Sequence, residues 1–229
     1  FRAHPDWAIQ IPGRHRSLFR HQYVLDWSRK EVRDYIYDMI HHVLSNANVA
    51  YIKWDMNRTL TEPASASLPA DRQGELCHRY VLGVYEIMGR LRDDFPSLLL
   101  ENCSAGGSRF DPGVLYYSPQ IWGSDDSDAI ERIQIEMGAS MCYPLSTIGA
   151  HVSAVPNHQT GRITSLETRG YVAMAGTFGY ELDITRMSEA EKDAVRRQVD
   201  IYHKYNHIVK EGDLYRIGDP FENRDYACW

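Results

Sequence analysis

Tyr51-Ile52-Lys53-Trp54-Asp55-Met56-Asn57-Arg58 is the stretch on which the fold turns. It opens as a short apolar run and ends on a cation and a carboxylate. Side chains alternate across a strand, so Lys53 and Asp55 share one face and Trp54 takes the other. In a barrel of parallel strands, Lys53 and Asp55 would look into the C-terminal mouth and Trp54 would pack on the helices. An ammonium beside a carboxylate favours the ionised form, which suits a nucleophile or an electrostatic stabiliser. The octapeptide alone fits a surface ion pair at a strand end equally well.

Upstream, Ser28-Arg29-Lys30-Glu31 has the spacing of a capping box. Val32, Tyr35, Ile36, Met39, Ile40, Val43 and Leu44 then recur at helical spacing. Before that helix, Tyr23-Val24-Leu25 reads as a strand closing on Asp26, just after Arg20. Strand, helix and strand in succession imply a parallel pair. Downstream the pattern repeats. A helix from Leu76 to Leu91 stops near Pro96, and Leu98-Leu99-Leu100-Glu101 is a strand leading into Asn102-Cys103-Ser104-Ala105-Gly106-Gly107-Ser108-Arg109. Gln120-Ile121-Trp122-Gly123 leads into Ser124-Asp125-Asp126-Ser127-Asp128, followed by a helix through Ile130, Ile133 and Met137. Thr147-Ile148-Gly149-Ala150 is a weak strand before His151, and a helix is expected near 165–175. Gly179-Tyr180-Glu181-Leu182 ends on Asp183, and Ser188 with Glu191 makes a second capping box for a helix running to about Val209.

Six strands alternating with helices indicate a parallel α/β fold. A doubly wound sheet is the rival architecture. Polar or acidic residues at all six strand ends (Asp26, Asp55, Glu101, Asp125, His151, Asp183) favour a (β/α)8 TIM barrel, in which every strand faces the site. Eight strands close such a barrel, so an N-terminally incomplete one is expected. Phe1 starts without Met or a cap, and Tyr226-Ala227-Cys228-Trp229 stops on bulky residues, which reads as a piece of a longer protein. Nothing marks a linker, so residues 1–229 are expected to be a single catalytic domain. The Gly- and Asp-rich tail from about 212 to 229 reads as the start of an exit segment.

The net charge is −6 and no basic block is present, which argues against nucleic acid and anionic membrane as partners. No apolar run approaches the ~20 residues of a membrane span. Cys77, Cys103, Cys142 and Cys228 form no CxxC pair, which points to a reducing, cytoplasmic setting without disulfides or a zinc site.

Asp125, Asp126 and Asp128 are the densest acidic cluster. An EF-hand-like loop starting at Asp126 would need glycine and an acid where Glu131 and Met137 stand; a magnesium site with two carboxylates stays open but has no motif behind it, and the expectation is no metal. Asp128 is assigned to capping the helix that follows, and Asp125, nearest the strand end, to the mouth. Two carboxylates on one cleft suit glycosidic hydrolysis, with Asp55 held charged beside Lys53 and Asp125 keeping its proton to higher pH. The small residues at 104–108 match neither nucleotide-binding glycine motif, so no cofactor is expected. They would cradle a phosphate or let a sugar approach the backbone.

The octapeptide core Lys53–Arg58, the run Glu101–Asp111, Trp122–Asp128 and His151–Arg162 appear together and in order. In these the chain resembles family 36 of the glycoside hydrolases, the retaining α-galactosidases. The resemblance implies Asp55 as nucleophile and Asp125 as acid/base. It implies Arg20, Lys53, Cys103 and Gly106 as contacts to the galactosyl unit. It further implies melibiose- or raffinose-type substrates and a homo-oligomer, often a tetramer. Ala105 and Ser108 stand where the family pattern has glycines, which bears on fine specificity. A raffinose- or stachyose-synthase-like transferase, a non-catalytic sugar-binding barrel and a phosphosugar isomerase are the competing readings.

Overall fold

Residues 1–222 are described in the computed structural model. Cys228, the bulky end at Tyr226–Trp229 and the last part of the expected exit segment lie outside them. The chain groups into two compact units: Phe1–Ser104 with Asp111–Pro119, and Ala105–Phe110 with the residues from Gln120 onward.

The first unit contains α1 (Lys30–Asn46), β1 (Tyr51–Asp55), α2 (Leu76–Asp94), β2 (Leu99–Cys103) and α3 (Pro112–Tyr117). β1 and β2 are parallel, with Lys53 opposite Glu101 and Asp55 opposite Cys103. Leu76, Tyr80, Val84 and Met88 recur every fourth residue along α2 and are buried with Leu100, Ile9 and Val24. Ile87 and Leu91 face Tyr37 and Leu44 of α1. Each fully buried aliphatic side chain contributes about 1.5–3 kcal/mol, so this double-faced helix joins both apolar clusters of the unit with a substantial stabilising contribution. Ile52 and Trp54 pack against both clusters, so β1 presents the indole to the helices as the alternation requires.

Two expectations fail here. Tyr23-Val24-Leu25 is no parallel strand. It runs against residues 7–9, with the Ile9 N–H donating to Val24 O and the Asp26 N–H to Trp7 O, and makes only an isolated antiparallel bridge between Ala8 and Leu25. A three-residue apolar run has too little length to specify its partner. The capping box at Ser28 also does not form. The N-cap of α1 is Arg29, without a side-chain cap bond, because the Ser28 hydroxyl donates to Asp26 and Glu31 pairs with Arg29. On α1, Tyr35, Met39 and Val43 are exposed, so the apolar stripe is only partly used.

The second unit contains β3 (Gln120–Trp122), α4 (Ala129–Ser140), β4 (Ile148–Ser153), α5 (Leu166–Ala173), β5 (Thr177–Glu181) and α6 (Glu189–Glu211). β4 is paired in parallel with both β3 and β5. The weak strand read at 147–150 thus runs to Ser153 and takes His151 into its interior. Ala150 and Val152 are buried with Ala173 of α5. The second capping box is realised: Ser188 accepts from the Glu191 N–H, and Glu191 accepts from the Ser188 N–H. Asp128 caps α4 as expected, accepting from the Ile130 and Glu131 N–H groups.

Both units are parallel α/β. The described residues hold five strands rather than the six read from sequence. Glu101 and His151 lie inside strands, and Asp183 caps the turn at Ile184–Arg186.

Gly83 is where α2 passes the chain entering α1. A Cβ there would stand 2.0 Å from the Trp27 carbonyl oxygen, a backbone atom that cannot step aside. Gly83→Ala is expected to destabilise by about 1–3 kcal/mol despite its better helix propensity. Urea unfolding showing a gain in stability would contradict the close approach.

Candidate active site

In the first unit, Asp55 and Cys103 are register partners at the ends of β1 and β2. The ladder extends one step beyond them, the Met56 N–H donating to Cys103 O at 3.0 Å, and the Ser104 hydroxyl donates to Met56 O at 2.6 Å. Asp55 therefore leaves a stiff strand end, and its side chain is exposed. Its carboxylate accepts from Asn57 Nδ2 at 2.7 Å. The ion pair of Lys53 differs from the expectation. Its ammonium lies 3.2 Å from Glu101 Oε1, with the Glu101 side chain 3% exposed and that of Lys53 39%. The cation is thus the counter-charge of a buried glutamate on the neighbouring strand. It remains on the same strand face as Asp55, two residues away.

Arg20 sits at the tip of a tight turn in which the Gln22 N–H donates to Phe19 O at 3.0 Å. Arg20 and His21 have φ of 52° and 57°, the left-handed region that bulky residues avoid. Arg58 ties this turn to the segment leaving β1. Its buried guanidinium donates to Gln22 O and Ser17 O, and also to Thr59 O. Asp26 is not a mouth residue. It is fully buried and accepts from the Ser28 N–H and from the hydroxyls of Ser28 and Ser65.

In the second unit, Asp125 is exposed three residues past β3. The segment around it is folded on itself: the Asp126 N–H donates to Ser124 Oγ, and the Asp128 N–H to Asp126 Oδ1. Burial would raise the Asp128 carboxyl. Hydrogen bonds from Thr160 and the helix N–H groups, together with the Arg162 charge, outweigh it and hold the group below the ordinary carboxylate range. Gly106 (φ 78°) rests on the same segment, where a Cβ would stand 2.7 Å from Ser124 Cα and 2.9 Å from Asp125 N. Only glycine combines that left-handed backbone with that approach. Gly106 and Asp125 are thus neighbours in the second unit, and Lys53, Asp55 and Cys103 in the first.

Three residues escaped the sequence reading. Arg58 stood in the key octapeptide without a role. Arg132 and Glu136 of α4 lie on its buried face with Ala129 and Met137. Their only signal is spacing: charged residues four apart, in step with Asp128 at the cap. Burial pushes the Glu136 carboxyl up to about 8, against the pull of Arg132, and its Oε2 has no hydrogen-bond partner among the described residues. Among the described residues no group of three His, Cys, Asp or Glu side chains is arranged to hold a metal ion, and no helix is long and apolar enough to cross a membrane.

A family model described as Melibiase matches residues 1–212. The chain is 53% identical over 229 residues to alpha-galactosidase AgaA of Geobacillus stearothermophilus, covering 31% of that protein. It is 53% identical over the same length to the bifunctional alpha-galactosidase/sucrose kinase AgaSK of Mediterraneibacter gnavus, covering 24% of it. The crystal structure of the GH36 alpha-galactosidase AgaA superposes with a TM-score of 0.95 at 54% identity, over 97% of this chain and 31% of that one. Substituted forms of AgaA have been solved in complex with raffinose and with stachyose. The chain spans about a third or less of the length of these relatives.

Glu136 gives a pH signature. Its carboxyl ionises near 4.5 when unfolded and near 8 when folded, so the folded state holds the extra proton between those values. Its contribution is intact below the lower value, is lost as pH rises through the window, and levels off above it. The slope reaches about 1.4 kcal/mol per pH unit. Glu136→Gln should flatten the stability curve across this window. Urea unfolding of the full-length protein at a series of pH values checks this, and unchanged slopes would contradict it.

Proposed function

The chain belongs to the melibiase family, and on that premise we propose that it is the central part of the catalytic barrel of a retaining α-galactosidase. The observation that carries the reading is an unbroken match to α-galactosidases, with an exposed aspartate leaving a strand in each unit. The substrates are terminal α-galactosides of the melibiose, raffinose and stachyose type. The (β/α)8 closure needs strands from outside residues 1–229, which form one domain together with them, and the segment from about 212 leads out of it. A cytoplasmic homo-oligomer is the accompanying expectation.

The reaction is a double displacement. Asp125 protonates the glycosidic oxygen while Asp55 attacks the anomeric carbon, breaking the glycosidic bond and forming a galactosyl ester. Asp125, now a carboxylate, takes a proton from water, whose oxygen displaces Asp55 and releases galactose with its configuration retained. An accessible carboxylate that accepts from Asn57 at 2.7 Å supports the nucleophile role of Asp55. Lys53 and Cys103 flank the nucleophile on its strand face and on the neighbouring strand end. Arg20, held out on its turn, is offered to the sugar hydroxyls. Gly106, packed against the segment that carries Asp125, is assigned to the galactosyl site through its main chain.

Asp55→Ala should abolish turnover of every α-galactoside. Asp125→Ala should slow raffinose by about 100-fold or more while sparing an activated aryl α-galactoside far better, because a nitrophenolate leaves without protonation. Equal losses on both substrates would remove the acid role from Asp125. Proton NMR of the first-formed galactose should show the α anomer, and a β product would exclude retention.

A further inference from the structure

Arg132 is a buried cation with no sugar-binding role in the mechanism above. Its residue is 3% exposed, and burial pulls its guanidinium below the ordinary arginine range, against the charges of Glu136, Glu181, Asp126 and Asp125. The hydrogen bonds show what it does instead. Nη2 donates to Ser124 O at 2.5 Å and Nε to Asp126 O at 2.6 Å. These are the carbonyls of the residues immediately before and after Asp125. Nη1 reaches Gly149 O of β4 at 3.3 Å. The guanidinium carbon lies 4.2 Å from the ring centroid of Trp122, the last residue of β3.

We propose that Arg132 is a positioning residue for Asp125: its planar fork cross-links the two peptide carbonyls flanking the acid/base to the neighbouring strand, fixing where the carboxyl group points. The proposal rests on the acid/base reading of Asp125. Its physical basis is that Asp125 is exposed and leaves an irregular segment that has no strand partner of its own. Such a segment holds one conformation only if its carbonyls find donors. A guanidinium supplies five donors in fixed directions, which an ammonium does not. Removing the guanidinium leaves three carbonyls without their donor, so some loss of stability accompanies its substitution and is separated from positioning by comparing two substrates. The same segment is packed against Gly106, so it is restrained by a close contact as well as by hydrogen bonds.

The test uses Arg132→Lys and Arg132→Met in the full-length protein, each alone and combined with Asp125→Ala. Raffinose, which needs acid catalysis to lose its leaving group, is compared with para-nitrophenyl α-galactoside, which does not. A variant is scored if its thermal midpoint stays within about 5 °C of the parent. The expected result is a loss in kcat/KM of about tenfold or more on raffinose and below about threefold on the aryl substrate. In the Asp125→Ala background the Arg132 substitution should then change either rate by less than about twofold, because a positioning effect vanishes with the group it positions. Equal losses on both substrates, or a loss that persists without Asp125, would overturn the proposal. So would collapse of both variants, which would make Arg132 a folding residue. Undiminished raffinose turnover by Asp125→Ala alone would instead overturn the acid/base reading, and is thereby told apart.

Discussion

A guanidinium can lie inside a protein only where its N–H groups are taken up, and main-chain carbonyls beyond a strand end are acceptors that no neighbouring strand uses. This mutual need recurs through the molecule. Arg58 donates to the carbonyls of Ser17, Gln22 and Thr59. Arg132 takes those of Ser124, Asp126 and Gly149, and Arg169 those of Ser153, Thr164 and Ser165. Each of the three is buried. Each arginine thereby ties a strand, or the segment leaving one, to irregular chain elsewhere: Thr59 after β1, Gly149 within β4 and Ser153 at its end. The strands supply direction, and the arginines hold irregular backbone to them.

The same logic separates the charges that work in water from those that support them. Asp55 and Asp125 are exposed. Glu101, Asp26 and Asp128 are buried carboxylates that carry structure: one pairs with Lys53, one collects serine hydroxyls, one caps α4 and binds Arg162. Burial alone does not divide them, since the exposed Asp183 also carries structure by capping the turn that follows β5.

Periodicity was enough for much of this. The α2 stripe, the β1 alternation that turns Trp54 inward and the Ser188 box each follow from spacing alone, because a single local rule decides them. The motif order carried the reading of Asp55 and Asp125. Other features needed tertiary competition that no local rule contains. Ser28 has the right neighbour for a cap, but Asp26 takes its hydroxyl. Tyr23-Val24-Leu25 has strand composition, but residues 7–9 meet it in the antiparallel sense. Lys53 stands two residues from Asp55, yet the adjacent strand brings Glu101 closer. Arg132 and Glu136 carry no local signal beyond their four-residue spacing, and it is the fold that turns that face inward. Charge on a helix defaults to the outside, and only the three-dimensional structure shows the exceptions.

The turn at Arg20 and His21 places two side-chain-bearing residues in a backbone region where branching at Cβ is punished. Mutational drift at these two sites is therefore channelled by main-chain geometry before any ligand enters the picture. Asparagine, aspartate and glycine are the open routes, whereas valine, isoleucine, threonine and proline are barred. A randomised library spanning the pair would come back sparse and skewed, even under selection for folding alone.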